Sequence, residues 1–232
     1  MIEKRPFENL GQFRNDWLHA RHHFSFGGYM DRNRMGWGRL RVWNDDEIQP
    51  HQGFAPHPHR DMEIITYVRE GAISHRDSLG TEGRTGAGDV QVMSAGRGIQ
   101  HAEYNREDEM TRLYQIWILP DQEGGDPRWD AMEFPKGDRT GEFVTLASND
   151  PEAHGGLMIR ADARVAGATL KAGQSTEYAL ASGRYAYLGV AEGHVSVNGT
   201  TLGPRDAAAI KDEDVLRIEA SEDAELVLVE TN

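Results

Sequence analysis

A small set of side chains in the first half of the chain has the types and spacing of a metal centre. Within Gly53-Phe-Ala-Pro-His57-Pro-His59-Arg-Asp-Met-Glu63, two histidines stand two residues apart. On an extended segment, residues i and i+2 leave the same face, so both imidazoles can grip one ion. His101-Ala-Glu103 repeats that spacing just after the glycine-rich turn Ser94-Ala-Gly-Arg-Gly98. Two such pairs on neighbouring strands supply three neutral imidazoles and one carboxylate. That donor set holds a divalent first-row metal and leaves one or two positions for water, oxygen or substrate, the form of a catalytic site rather than a closed structural clip. Glu63 has the same parity as His57 and His59, so spacing alone leaves Glu63 and Glu103 as alternatives for the carboxylate. The chain has no cysteine, which excludes disulfides, thiolate-bound metal and a thiol nucleophile.

The elements that must position these residues are short strands. The chain of 232 residues is 38% hydrophobic and carries 26 glycines, a balance that suits many strands joined by tight turns. β-rich runs recur at Leu40 to Trp43, Glu63 to Val68, Val90 to Met93 and Leu113 to Leu119, bounded by turn residues such as Asn44-Asp45-Asp46 and Glu70-Gly71. The stretch from Pro120 to Gly141 is rich in Gly, Pro and charge and reads as a linker. A second series follows at Glu142 to Leu146, Gly156 to Arg160, Tyr185 to Val190, His194 to Val197, Val215 to Ile218 and Leu226 to Val229. Glu70-Gly71 can be laid over Glu192-Gly193, and Gly88-Asp89 over Arg205-Asp206, so the economical reading is two halves of one all-β fold related by duplication. The expected division is 1–122, a linker at 123–141, and 142–232.

With 25 basic against 38 acidic residues, the formal charge is −13. Nucleic-acid affinity comes largely from Lys and Arg displacing counterions, so direct nucleic-acid binding is disfavoured. The opening MIEKRPFENLGQFRNDW never reaches the apolar stretch of a signal peptide, and no run approaches the roughly 18 apolar residues of a membrane helix. The expected location is the cytoplasm, without membrane contact.

The metal-site residues resemble the cupin superfamily and, more closely, the pirin family with its bacterial quercetin 2,3-dioxygenase-like members. His57, His59, Glu63 and Gly71 follow the first cupin motif, and Gly88, Gly96, His101 and Asn105 follow part of the second. Ser94 in place of proline and a longer spacing before His101 are departures that are themselves pirin-like, as are Phe24-Ser-Phe26 and Asn44-Asp45. The resemblance implies a bicupin, two β-sandwich or jelly-roll barrels in tandem. It implies a metal held by His57, His59, His101 and Glu103, with Glu63 supporting the site, and a degenerate second cupin without metal. The ungapped overlay of the halves agrees: the ligand positions fall on Ala179, Ala181, Ile218 and Ala220.

The activity implied is a metal-dependent dioxygenase that cleaves a flavonol such as quercetin with O2 and releases carbon monoxide. Glu103 then serves as both ligand and base for the 3-hydroxyl proton. Fe(II) is the first choice of metal on family grounds, while nitrogen and oxygen donors also suit Mn, Co, Ni, Cu and Zn. The rival reading is a metal-binding, redox-sensitive regulatory pirin that acts through a protein partner without turnover. A cupin isomerase or sugar-binding protein is a third, for which no phosphate-cradling loop is present. His75 and Gln115 sit on strands expected to line the first barrel. Phe54 and Met93 flank the motifs as substrate contacts or core, and Arg60 and Arg97 could steer an anion. His19, His22 and His23 read mainly as packing or surface residues, and His154 and His194 as loop residues.

Overall fold

The computed structural model describes residues 1–232, apart from the side chain at position 138. Its first strands are β1 (Ile2–Arg5), β2 (Gly11–Arg14), β3 (Leu18–His22), β4 (Leu40–Ile48), β5 (Gly53–His59) and β6 (Glu63–Glu70). They are followed by β7 (Ala72–Asp77), β8 (Glu82–Gly86), β9 (Val90–Ser94), β10 (Ile99–Tyr104), β11 (Thr111–Ile118) and β12 (Arg128–Met132). A seven-stranded sheet of order β12-β9-β6-β11-β4-β3-β2 and a four-stranded sheet of order β5-β10-β7-β8 make the first sandwich.

The second half contains β13 (Val144–Ser148), β14 (Leu157–Met158), β15 (Ala163–Leu170), β16 (Ser175–Ala179) and β17 (Tyr185–Glu192). It continues with β18 (Val195–Val197), β19 (Thr200–Leu202), β20 (Ala207–Lys211), β21 (Val215–Ala220) and β22 (Ala224–Thr231). The same division recurs: β1-β20-β17-β22-β15-β13-β14 form one sheet and β16-β21-β18-β19 the other. The chain is all-β with a bicupin architecture.

The halves exchange edge strands. β1 opens the chain but pairs with β20, Ile2 opposite Ile210, in the second half. β12 lies within the stretch expected as a linker, yet it pairs with β9, Trp129 opposite Met93. Each exchanged strand covers an edge whose unpaired N–H and C=O groups would otherwise face solvent. Composition pointed to a linker because Gly124, Gly125 and Pro127 surround the segment, and only register shows that Arg128 to Met132 completes a sheet.

Alternation along the central strands builds two interiors at once. On β4, Val42, Asn44 and Asp46 leave one face while Trp43 and Asp45 leave the other; β6 and β11 alternate likewise. Trp43, Ile65, Tyr67, Tyr114 and Ile116 belong to one buried cluster with Tyr187, Ala207, Val227 and Val229, so the two seven-stranded sheets pack back to back. Contact there is close enough that a Cβ on Gly189 would lie 2.7 Å from the Trp43 ring. Asn44-Asp45-Asp46 was expected to end a strand, but β4 runs through it to Ile48. Tertiary partners override the turn propensity: His22 Nδ1 bonds Asn44, and the buried Asp45 carboxylate is paired with both Arg69 and Arg205.

Candidate metal centre and cavity

The edge strand β5 tolerates Pro56 and Pro58 because an edge leaves every second N–H without a ladder partner. His57 stands opposite His101 on β10, and the register then shifts so that Glu103 stands opposite Phe54. The irregularity presents the Ala55 carbonyl to His57 Nδ1 at 2.8 Å. That bond fixes the proton on Nδ1 and leaves a lone pair on Nε2.

His101 is set from the opposite side. Asp77 Oδ1 accepts the N–H groups of Leu79 and Thr81, and Oδ2 accepts from His75 Nε2 at 3.0 Å. His75 Nδ1 is therefore an acceptor; it lies 3.4 Å from His101 Nδ1, which donates to it. The His101 lone pair is then on Nε2, 3.1 Å from His57 Nε2. The His59 Nε2 is buried without a hydrogen-bond partner among the described residues. The ligand atoms of His57, His59 and His101 all lie within 4.8 Å of one another. Facing lone pairs repel unless a cation lies between them, so this arrangement fits a divalent metal ion. Burial, then the neighbouring imidazoles, holds His101 far below the ordinary histidine value; burial and His57 lower His59 to about 4. Both rings are thus neutral donors at physiological pH.

Glu103 belongs to a second, overlapping group with His75 and His101. Gln91 and Gln115 each donate to one of its oxygens at 2.6 Å, and Thr66 adds a bond at 3.3 Å. Thr85 in turn donates to Gln91 Oε1 and so orients its amide. Burial raises the Glu103 carboxyl to about 7 against the pull of these donors. Glu63 lies elsewhere: it accepts from Ser94 and faces Arg128 and Arg160 rather than the cavity. The parity argument that admitted Glu63 assumes an unbroken strand, whereas Asp61, at φ 49°, separates β5 from β6.

His57, His59, His101, Glu103 and Gln115 line a cavity of about 870 Å³. Its walls are aromatic. Trp17 and Phe54 meet edge to face at 5.2 Å, and Phe26 meets Trp117 likewise at 5.3 Å. Phe54 is therefore a cavity residue, whereas Met93 packs with Ile64, Ala95 and Ile99. His22 also lines the cavity, while His23 is tied to the Tyr187 hydroxyl at 2.9 Å. Arg60 and Arg97 are exposed and paired with Asp61 and Asp126.

Sequence reasoning overlooked Asp77, although its i+2 spacing from His75 is the signal used elsewhere. It also overlooked Gln91, Thr66 and Asp46. Trp129, which stacks on His75 with ring centroids 5.0 Å apart, was hidden because it arrives on the exchanged strand β12. Gly83 makes room for it, since a Cβ there would come within 2.0 Å of the indole.

In the second half β16 and β21 occupy the places of β5 and β10. There Ile218 stands opposite Thr176, so the ungapped overlay slips by about three residues at Ala179. Leu188, Val190, Leu216, Ile218, Leu226 and Leu228 fill that interior.

The pirin family model matches residues 3–118, and a model described as a quercetinase C-terminal cupin domain matches residues 145–231. A pirin-like protein of Caulobacter vibrioides is 63% identical over 230 residues, with 99% of each chain covered. The chain belongs to the pirin family. A second relative, named quercetin 2,3-dioxygenase, from Escherichia coli K12, is 40% identical over 230 residues, covering 98% of this chain and 97% of the relative. Among solved structures, a bacterial pirin from Escherichia coli in complex with nickel(II) superposes with a TM-score of 0.94 at 38% identity, covering 100% of this chain and 99% of that one. Among the described residues, no helix is long and apolar enough to cross a membrane.

Proposed function

We propose that the protein is a metal-dependent dioxygenase acting on a flavonol or a closely similar hydroxylated aromatic. The observation that carries this reading is the convergence of three imidazole lone pairs on one side of a cavity with aromatic walls, about the size that encloses a drug-sized ligand. His57, His59 and His101 would hold the ion, with Glu103 completing the set; Fe(II) is the first choice, and the nickel(II) complex of the relative suits the same donors. When bound, the ion supplies Lewis acidity toward the 3-hydroxyl and 4-carbonyl oxygens of the substrate.

This chain's own groups do the rest. Glu103, the carboxyl beside these imidazoles, is the group placed to accept the 3-hydroxyl proton. Gln91 and Gln115 hold that carboxylate in place, and the Trp17, Phe54, Phe26 and Trp117 walls sandwich a flat ring system and exclude water. We take the chemistry-bearing half as 1–122, apart from β1, and the supporting half as 142–232, with the intervening segment contributing Trp129 behind His75.

Oxygen uptake with quercetin tests this reading. The protein is loaded separately with iron, manganese, cobalt, nickel and copper, and His101→Ala is the control. Metal-dependent uptake with carbon monoxide release, absent in the variant, is expected. No uptake on protein shown to hold one ion per chain would sink it and favour a regulatory role through a protein partner.

A further inference from the structure

A row of polar side chains crosses the inner face of the first seven-stranded sheet. Register places His22 opposite Asn44, Asn44 opposite Gln115, Gln115 opposite Thr66 and Thr66 opposite Gln91. The Gln115, Thr66 and Gln91 end of the row is occupied in holding Glu103. The other end has a different role. His22 Nδ1 meets Asn44 Oδ1 at 2.9 Å, and both residues line the cavity. Two residues further along β4, Asp46 lines the cavity too while only 2% exposed.

Asp46 is anomalous among the buried acids of this half. Asp45 is paired with Arg69 and Arg205, Asp77 with His75, Glu103 with two amides and Glu63 with Ser94. The Asp46 carboxyl makes no hydrogen bond to any described residue, and its Oδ1 is buried without a partner. The residues opposite it are Ala20 on β3 and Leu113 on β11, whose side chains have nothing to donate. Burial, reinforced by the charges of Asp45 and Glu103, pushes this carboxyl well above the usual range. A carboxyl shifted in that direction favours its protonated form, which can donate as well as accept a hydrogen bond. A buried polar group left unpaired destabilises the fold and calls for an explanation; in a ligand-sized cavity the direct one is a ligand atom that completes it.

We propose that Asp46, flanked by Asn44 and His22, is a specificity-determining subsite that hydrogen-bonds a hydroxyl of the aromatic substrate other than the one beside the metal. Ideal strand spacing separates it from the metal centre. Asp46 lies about 7 Å along β4 from Asn44, and Asn44 lies about 5 Å across the ladder from the Gln115 that holds Glu103. A phenolic hydroxyl is the matching group, since it too donates and accepts, and the aromatic walls carry the ring that bears it. The pocket therefore selects polyhydroxylated aromatics over unsubstituted ones of the same shape. The choice of flavonol probes rests on the function proposed above, and the subsite reaches beyond it by naming what is recognised away from the reacting ring.

The test is a titration followed by tryptophan fluorescence, because Trp17 and Trp117 line the cavity. Quercetin and analogues lacking one hydroxyl each are titrated into wild type, Asp46→Asn and Asp46→Leu at matched metal content. Wild type should lose about tenfold to a hundredfold in affinity on removal of one particular hydroxyl outside the 3-position. Asp46→Leu should bind that analogue and quercetin within about twofold of each other, and Asp46→Asn should fall between. Retention of the wild-type pattern in Asp46→Leu would overturn the subsite, as would a thermal midpoint below wild type in both variants, which would make Asp46 a structural residue. Oxygen uptake measured in parallel separates the two proposals: absent turnover with intact, Asp46-dependent discrimination sinks the dioxygenase and leaves the subsite standing.

Discussion

Gly71 and Gly193 each turn the corner after a central strand, at φ 72° and 83°, and Asp89 and Asp206 each accept a backbone N–H at 2.9 Å, from Phe134 and Phe7. Those paired devices sit in the two halves of the same frame. Each of the two aspartates anchors the segment next to an exchanged strand, so the duplication extends to how the halves hold each other. What differs is the filling. In the second half the cavity between the sheets is closed by aliphatic side chains; in the first it is open and lined by imidazoles, amides and carboxyls. Burying a polar group is unfavourable unless it is bonded, so the first half keeps its polar interior by giving nearly every member a partner and by resting its outer face on the second. The comparison teaches that one copy can keep a reactive interior while the other supplies packed support.

The comparison breaks most sharply at His101. His101→Ala should abolish stoichiometric metal binding while circular dichroism stays that of wild type, whereas Ile218→His, at the matching strand of the filled half, should acquire no metal and cost about 2–5 kcal/mol, read from urea unfolding. Glu103→Gln should weaken metal binding, and Glu63→Gln should leave it unchanged; equal loss in both would return the fourth ligand to the choice that spacing left open.

The buffer behind the ligands gives a smaller effect. Asp77→Asn removes the acceptor that fixes the His75 tautomer, and metal affinity should fall about 10- to 100-fold by calorimetric titration with no change in stoichiometry. Gly189→Ala presses a methyl on Trp43 and should destabilise by about 1–3 kcal/mol while metal affinity is kept, since the contact lies on the outer face of the sheet.

The smallest effect is at Asp206. Burial alone would raise this carboxyl, but Lys4 and the N–H groups of Gly203 and Phe7 outweigh it and hold it below its ordinary value of 3.8. A carboxyl depressed in the folded state stabilises it above the unfolded value, and that contribution is lost as pH falls through the folded one. Asp206→Asn should therefore be less stable than wild type by about 1 kcal/mol at neutral pH, with the gap closing below pH 3.8. A gap that widens on acidification would refute the assignment.

Much of the site was legible because its rule is local. Period 2 put His57 with His59 and His101 with Glu103, and no long-range knowledge was needed beyond two strands being neighbours. The same rule failed for Glu63 because a residue at positive φ interrupts the strand, and turn propensity failed for Asn44-Asp45-Asp46 because arginines distant in sequence pair with Asp45. Trp129 and the strand exchange were illegible for the same reason: nothing in Arg128 to Met132 names the edge it completes.

By itself the sequence determined the all-β class, the duplication, the polar first half and the absence of thiolate ligands, since composition and period are properties of the chain. The tertiary structure decided which nitrogen of each imidazole is free, which carboxylate stands by the histidines, and that Asp46 is left without a partner. Those depend on carbonyls, amides and rings brought from strands tens of residues away, and hydrogen bonding acts only over the few ångströms that folding closes.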